Sequence, residues 1–137
     1  MSDYQSQILH ELLRCDRRYV SGNDLAKKLN ISRPAVYHNI LKLERQGHTI
    51  ITKKGLGYVY KFSSTFDPQV IAHHRLTTFP VDVKCFKTLT STNDYAKAYS
   101  STYPLAKPVV FVTDTQTRGH GRLGRRFYSP PQTGIYM

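Results

Sequence analysis

An α+β fold in two parts is predicted by three observations. Short helical patterns fill the chain before Gly47, a β-hairpin pattern follows directly, and strand-like and helix-like segments alternate beyond residue 81. The chain has 137 residues, room for one ordinary domain or two small ones. Its 39% hydrophobic share is ordinary for a folding chain. Lys and Arg outnumber Asp and Glu by 20 to 9, giving a net charge of +11. The surplus is spread: residues 1–62 carry 11 basic and 5 acidic side chains, residues 63–137 carry 9 and 4. A pI near 9.8 points to an anionic partner, with nucleic acid the first candidate.

Cys15 and Cys85 are distant and match no metal-ligand spacing, so no metal site is expected; unpatterned thiols fit a reducing compartment. No apolar run approaches the roughly 18 residues of a membrane span. The start is polar (Asp3, Gln5) and lacks a signal pattern. A cytoplasmic location without membrane contact is expected.

Taking the elements in order, Tyr4, Ile8 and Leu12, with Leu9 and Leu13, form an i, i+4 stripe and predict a helix over 4–15. Ser21 is suited to cap a second, short helix, with Asp24 favourable in its first turn and Asn30 suited to end it. Ser32 caps a third, and Pro34 sits in its first turn, where a missing N–H costs nothing. Val36, Ile40 and Leu43 share one face, and Gly47 is the expected stop. Thr49–Lys61 then holds two β-prone stretches around Lys53-Lys54-Gly55-Leu56-Gly57, a hairpin with a basic, glycine-rich tip.

Helix, short helix, break, longer helix and hairpin make a winged helix-turn-helix over 1–62. It resembles the regulatory domain that opens many bacterial repressors. With Val36, Ile40 and Leu43 facing inward, Ser32, Arg33, Pro34, Tyr37, His38 and Lys42 are left for a major groove. Lys53 and Lys54 are left for the flanking phosphates.

Ser63-Ser64-Thr65 opens a linker, 63–80, that carries a short helix capped by Asp67 and running to about Leu76. His73 and His74 are adjacent, splay about 100° apart on a helix and cannot chelate one ion together. Residues 81–137 alternate: a strand over 81–89, a helix over 94–99 capped by Ser91 or Thr92, and a buried strand at 108–113. A Gly/Arg loop follows, then the opening of a further strand at Gly134–Met137. Within that loop, glycine amides at 119, 121 and 124 can converge on an anion, and Arg118, Arg122, Arg125 and Arg126 add charge. Gly119, Gly121 and Gly124 fit G-x-G-x-x-G, but Pro130-Pro131 forbid the helix that a dinucleotide site requires. No Gly-Lys-Ser/Thr is present for a P-loop.

Gln116-x-x-Gly119-x-Gly121-Arg122-x-Gly124-Arg125-x-Phe127-x-Ser129-Pro130 resembles the signature loop of bacterial biotin–protein ligases, and Ser91-Thr92-Asn93 resembles that family's biotin-site turn. Their order behind a winged helix is similar to the bifunctional ligase–repressor form. The resemblance implies that 81–137 is the first part of a mixed α/β ligase catalytic domain, truncated before the family's Lys-Trp-Pro-Asn-Asp motif and small C-terminal β domain. It implies biotin and ATP as substrates, Mg2+ with the ATP, biotinoyl-5′-AMP as intermediate, and transfer of biotin to a lysine of a carboxyl carrier protein. Ser91, Thr92, Asn93 and Gln116 would hold biotin's head group; Gly119, His120, Gly121 and Arg122 would close over it. Arg125 and Arg126 would meet nucleotide phosphate, with Arg122 and Arg125 catalytic by screening charge. Operator DNA and a ligand-bound homodimer complete the implied partners. His120 departs from the family's arginine, which predicts weaker retention of the adenylate. The alternative to a working ligase is a DNA-binding winged-helix regulator with an inactive ligase remnant.

Overall fold

The computed structural model describes residues 3–104 and 106–137. The chain folds as two compact units, Met1–Thr65 and Phe66–Met137. The first contains α1 (Asp3–Arg14), α2 (Gly22–Leu29), α3 (Arg33–Arg45), β1 (His48–Lys53) and β2 (Gly57–Ser63). Its core is the stripe that periodicity predicts: Ile8, Leu9, Leu12, Leu25, Val36, Ile40, Leu43 and Val59 are each 1% exposed or less. Tyr4 leaves that stripe and Gln5 joins it. A strict i, i+4 spacing drifts about 40° per step on a helix, so residue 4 has rotated out of the face that Leu12 buries.

The predicted caps form. Ser21 Oγ accepts the Asn23 N–H and Ser32 Oγ the Ala35 N–H, both at 3.2 Å. Asn30 closes α2 in the left-handed region at φ 52°. Gly47, at φ 99°, turns the chain from α3 into β1. The hairpin is antiparallel, with Lys53 opposite Gly57 at its tip. Val20 and Tyr58 exchange backbone hydrogen bonds of 2.7 and 2.9 Å, tying the hairpin to the segment before α2. This unit runs past Phe62: Ser64 N–H donates to the Gly47 carbonyl at 2.8 Å, and Thr65 Oγ1 to the Gln46 carbonyl at 2.9 Å.

The second unit contains α3's successors α4 (Pro68–His74), β3 (Asp82–Phe86), α5 (Thr92–Thr102) and β4 (Val109–Thr113). Asp67 caps α4 on Gln69 and Val70 N–H. The helix stops before Leu76, which is 99% exposed. The positions four beyond Val70 and Ile71 are His74 and Arg75, so no apolar contact sustains another turn. Strands β3 and β4 are parallel, with Asp82 opposite Val109 and Phe86 opposite Thr113. A parallel pair needs a crossover, which α5 supplies. Helix α5 packs on β4 through an aromatic cluster: Tyr95 and Tyr99 ring centroids each lie 5.2 Å from Phe111, and Phe86 lies 4.9 Å from Tyr95.

The strand expected at Gly134–Met137 reduces to a single antiparallel bridge between Thr113 and Tyr136. The Tyr136 hydroxyl donates to the Pro130 carbonyl at 2.8 Å, folding the segment into a tight turn that leaves one residue beside β4. Cys15 and Cys85 are free. Burial, then the Asp67 and Asp114 carboxylates, push the Cys85 thiol up to about 11, so it stays protonated at neutral pH and is a poor nucleophile. No helix among the described residues is long and apolar enough to cross a membrane. Among those residues no three metal-ligating side chains gather.

Candidate functional site

Two separate surfaces carry the residues singled out in the sequence. On the first unit, Ser32, Arg33, Pro34, Tyr37, His38 and Lys42 are all exposed, opposite the buried Val36–Ile40–Leu43 face of α3. Ser32 is engaged as the cap of that helix. Arg33 at the start of α3 and Lys53 and Lys54 on the wing line one cleft of about 270 Å³. Tyr37, His38 and Lys42 lie along the helix outside it. Among the described residues, none of Arg33, Lys42, Lys53 and Lys54 forms an ion pair. Unneutralised cations beside an exposed helix suit a polyanion.

Sequence reasoning missed the far wall of that cleft, where Ser21, Gly22 and Asn23 open α2. Ser21 was legible as a cap, but nothing in the local pattern places its helix N-terminus against the wing. Tyr58 makes the link: a Cβ on Gly22 would sit 3.1 Å from its ring. Burial raises the Tyr58 hydroxyl pKa, and the Arg33 guanidinium opposes that shift.

On the second unit, the Ser-Thr-Asn turn and the Gly/Arg segment meet in a polar junction. Ser91 Oγ caps α5, accepting the Asp94 N–H at 3.4 Å. Thr92 N–H and Oγ1 both donate to Gln116 Oε1, at 2.8 and 3.1 Å, and Gln116 Nε2 donates to Ser129 Oγ at 3.0 Å. Ser91, Thr92 and Ser129 are buried. Asn93 is exposed and takes no part in the junction.

The Gly/Arg segment folds on itself as an irregular hairpin, with bridges between Gln116 and Ser129 and between His120 and Arg126. The Phe127 N–H donates to the Gly119 carbonyl at 2.8 Å, and the Gly121 N–H to the Arg125 carbonyl at 2.8 Å. The expectation that the glycine amides converge on an anion is therefore corrected at Gly121, whose amide is consumed within the hairpin. Gly119 is required for a different reason. A Cβ there would lie 2.8 Å from the Phe127 carbonyl, 2.9 Å from Ser129 Oγ and 3.1 Å from Gln116 Nε2.

Beside Gly119 opens a cleft of about 440 Å³ lined by Gln116, Arg118, Arg126, Phe127 and Ser129 among others. Arg122 and Arg125 belong to the exposed 3₁₀ turn at the hairpin tip and lie outside that cleft. His120 turns to α5: its Nε2 lies 3.0 and 3.1 Å from the Asp94 carboxylate oxygens and 3.5 Å from Ser91 Oγ. Protonated, it forms an ion pair that clamps the hairpin to the start of α5. Asp94 and Ser129 are thus site residues that spacing alone did not assign. Ser129 stands inside the quoted motif, whereas Asp94 carried no signal beyond its place in a helix first turn.

Residues 5–59 match a family model described as an HTH domain. The first unit is a helix-turn-helix domain. Over 138 residues the chain is 22% identical to the bifunctional ligase/repressor BirA of Bacillus subtilis (strain 168), an alignment covering 99% of this chain and 42% of that protein. The chain therefore spans 42% of the length of the curated relative it matches. It resembles the N-terminal portion of a BirA-like ligase/repressor, as its two motifs indicate. The helix-turn-helix match and this likeness support a DNA-binding regulator.

Proposed function

We propose that this BirA-like chain is the front of a biotin–protein ligase that also represses transcription in response to biotin. The observation that carries the reading is the Thr92–Gln116–Ser129 junction, in which two motifs separated in sequence become one polar site. Biotin and ATP are the substrates of this proposal, with Mg2+ carried on the ATP phosphates. The arginines that line the cleft beside Gly119 fit an anionic ligand, because a carboxylate approaching a phosphate needs its repulsion screened. Ser91, Thr92 and Gln116 would hold the biotin head group, and Arg122, Arg125 and Arg126 would meet the nucleotide from the hairpin. The proposed partners are operator DNA, a biotin carboxyl carrier protein and a second copy of the chain when ligand is bound.

Operator binding is the direct test of the first unit. DNA affinity is expected to fall with salt on a log–log slope of about −0.9 per phosphate contacted. Lys53→Ala and Lys54→Ala each reduce that slope by about one contact, whereas a slope near zero for the unaltered chain sinks the DNA-binding assignment.

A second reading is a DNA-binding regulator with an inactive ligase remnant. It draws support from the same junction, since Thr92, Gln116 and Ser129 already hydrogen-bond to one another. Calorimetric titration with biotin, alone and with ATP, separates the two. Saturable biotin binding that alters DNA affinity supports the ligase–repressor; DNA binding indifferent to biotin and ATP supports the remnant.

A further inference from the structure

Two ties hold the Gly/Arg hairpin to the first turn of α5, and they differ in kind. The inner tie is the Thr92–Gln116–Ser129 junction, whose Thr92 and Ser129 are buried. The outer tie joins His120 to Asp94 through side chains that are 35% and 54% exposed. We propose that Asp94 is a positioning residue: acting through His120, it is the reversible latch that holds the outer half of the hairpin, residues 120–126, on α5. The proposal rests on the ligase reading only for which ligand that hairpin retains.

Four observations carry it. His120 Nε2 lies 3.0 and 3.1 Å from the two Asp94 carboxylate oxygens and 3.5 Å from Ser91 Oγ. An ionised carboxylate only accepts, so this nitrogen carries a proton and donates; the tie is a hydrogen bond from a neutral ring and an ion pair from a charged one. Asp94 is itself fixed, as the third residue of α5, with its N–H donating to the Ser91 cap at 3.4 Å. Among the described residues, the contacts of the His120 ring are the hydrogen bonds that lead out of 120–126. The others close within that segment, Gly121 N–H on the Arg125 carbonyl and Arg125 N–H on the Arg122 carbonyl. Finally, the tip adds no burial, since Leu123 is 95% exposed at φ 60°. A solvent-facing pair is weak enough to open without unfolding the unit around it.

The test is a double-mutant cycle on the full 137-residue chain without ligand, read by amide exchange at Gly121 with the Gln116 amide as internal reference. Asp94→Ala and His120→Ala are each expected to speed Gly121 exchange by ~2–5-fold, the range of an exposed pair, and to leave Gln116 unmoved. The double variant should be no faster than either single one, because both remove the same contact. Asp94→Ala also takes a favourable charge from the start of α5, a loss common to both backgrounds that the cycle cancels. His120→Arg supplies the second arm. Its guanidinium fork matches both carboxylate oxygens, so exchange slows by ~2–5-fold where Asp94 is present and is unchanged in Asp94→Ala. Additive effects of the two alanine variants, or an equal gain from arginine in both backgrounds, overturn the proposal. Biotin dissociation measured with ATP adds the functional readout. Release that is faster in Asp94→Ala and slower in His120→Arg supports the latch as the device that retains ligand, and release indifferent to both variants overturns that role. A coupled exchange cycle in a chain that binds no biotin leaves the latch standing and removes the ligase reading.

Discussion

Replacing Gly57 by alanine is expected to destabilise the helix-turn-helix unit by about 3 kcal/mol or more, from backbone strain and overpacking together. The added Cβ would lie 2.0 Å from the Val20 carbonyl oxygen, and since the backbone fixes the Cβ and the carbonyl is main chain, no side-chain rotation relieves the clash. The residue also sits at φ +108°, a region L side chains rarely adopt. Relief requires breaking the Val20–Tyr58 pair, which ties the wing to the segment before α2. For a unit of this size the cost corresponds to a fall of roughly 15 °C in unfolding midpoint. Gly55 is the internal control. It has φ +82° but nothing within 4 Å of its would-be Cβ, so Gly55→Ala should cost only about 1 kcal/mol. Calorimetric melts of the two variants decide it: equal midpoints would show that the Val20 contact contributes nothing.

Gly119→Val is expected to open the Gly/Arg hairpin at a cost of about 1–3 kcal/mol of overpacking and, under the proposed ligase–repressor function, to weaken biotin binding by ~10–100-fold. The new side chain meets the Phe127 carbonyl, Ser129 Oγ and Gln116 Nε2 at once, so it attacks both the backbone pairing and the polar junction. Unpairing Gln116 also strips Thr92 of its acceptor at the start of α5. DNA affinity of the first unit measured without ligand should stay as it was. Gly121→Ala gives the structural comparison: its nearest neighbour would be the Arg125 carbonyl at 3.9 Å, with φ −95°, so the second unit's melting should be unmoved. Unchanged biotin affinity in Gly119→Val would remove Gly119 from the site. A lowered melting point in Gly121→Ala would mean that the two glycines are not distinguished by space.

The local grammar of this chain was legible from residue types alone. Ser21, Ser32 and Asp67 cap the helices they precede, Asn30 and Gly47 take the left-handed geometry that ends or redirects them, and Val36, Ile40 and Leu43 face inward. Each of these depends on neighbours within about one helical turn, so the signal is complete in a short window. The errors also had local causes. The i, i+4 pattern carries Tyr4 along a drifting stripe and α4 on to Leu76, across two positions with no apolar partner, and both side chains are exposed. The segment at Gly134–Met137 has strand composition, but the Tyr136 hydroxyl on Pro130 bends it into a turn.

For the candidate site, the sequence by itself determined which residue types are available: a basic helix and wing, a hydroxyl-rich turn, and a glycine–arginine segment. Only the tertiary structure decided who meets whom. Thr92 finds Gln116, His120 finds Asp94, Arg33 finds the wing lysines, and Arg118 lines the cleft beside Gly119. Periodicity assigns a side chain to a face but carries no address for its partner. Those pairings are set by the β3–α5–β4 crossover and by the Val20–Tyr58 tie, which bring together backbone segments far apart in the chain.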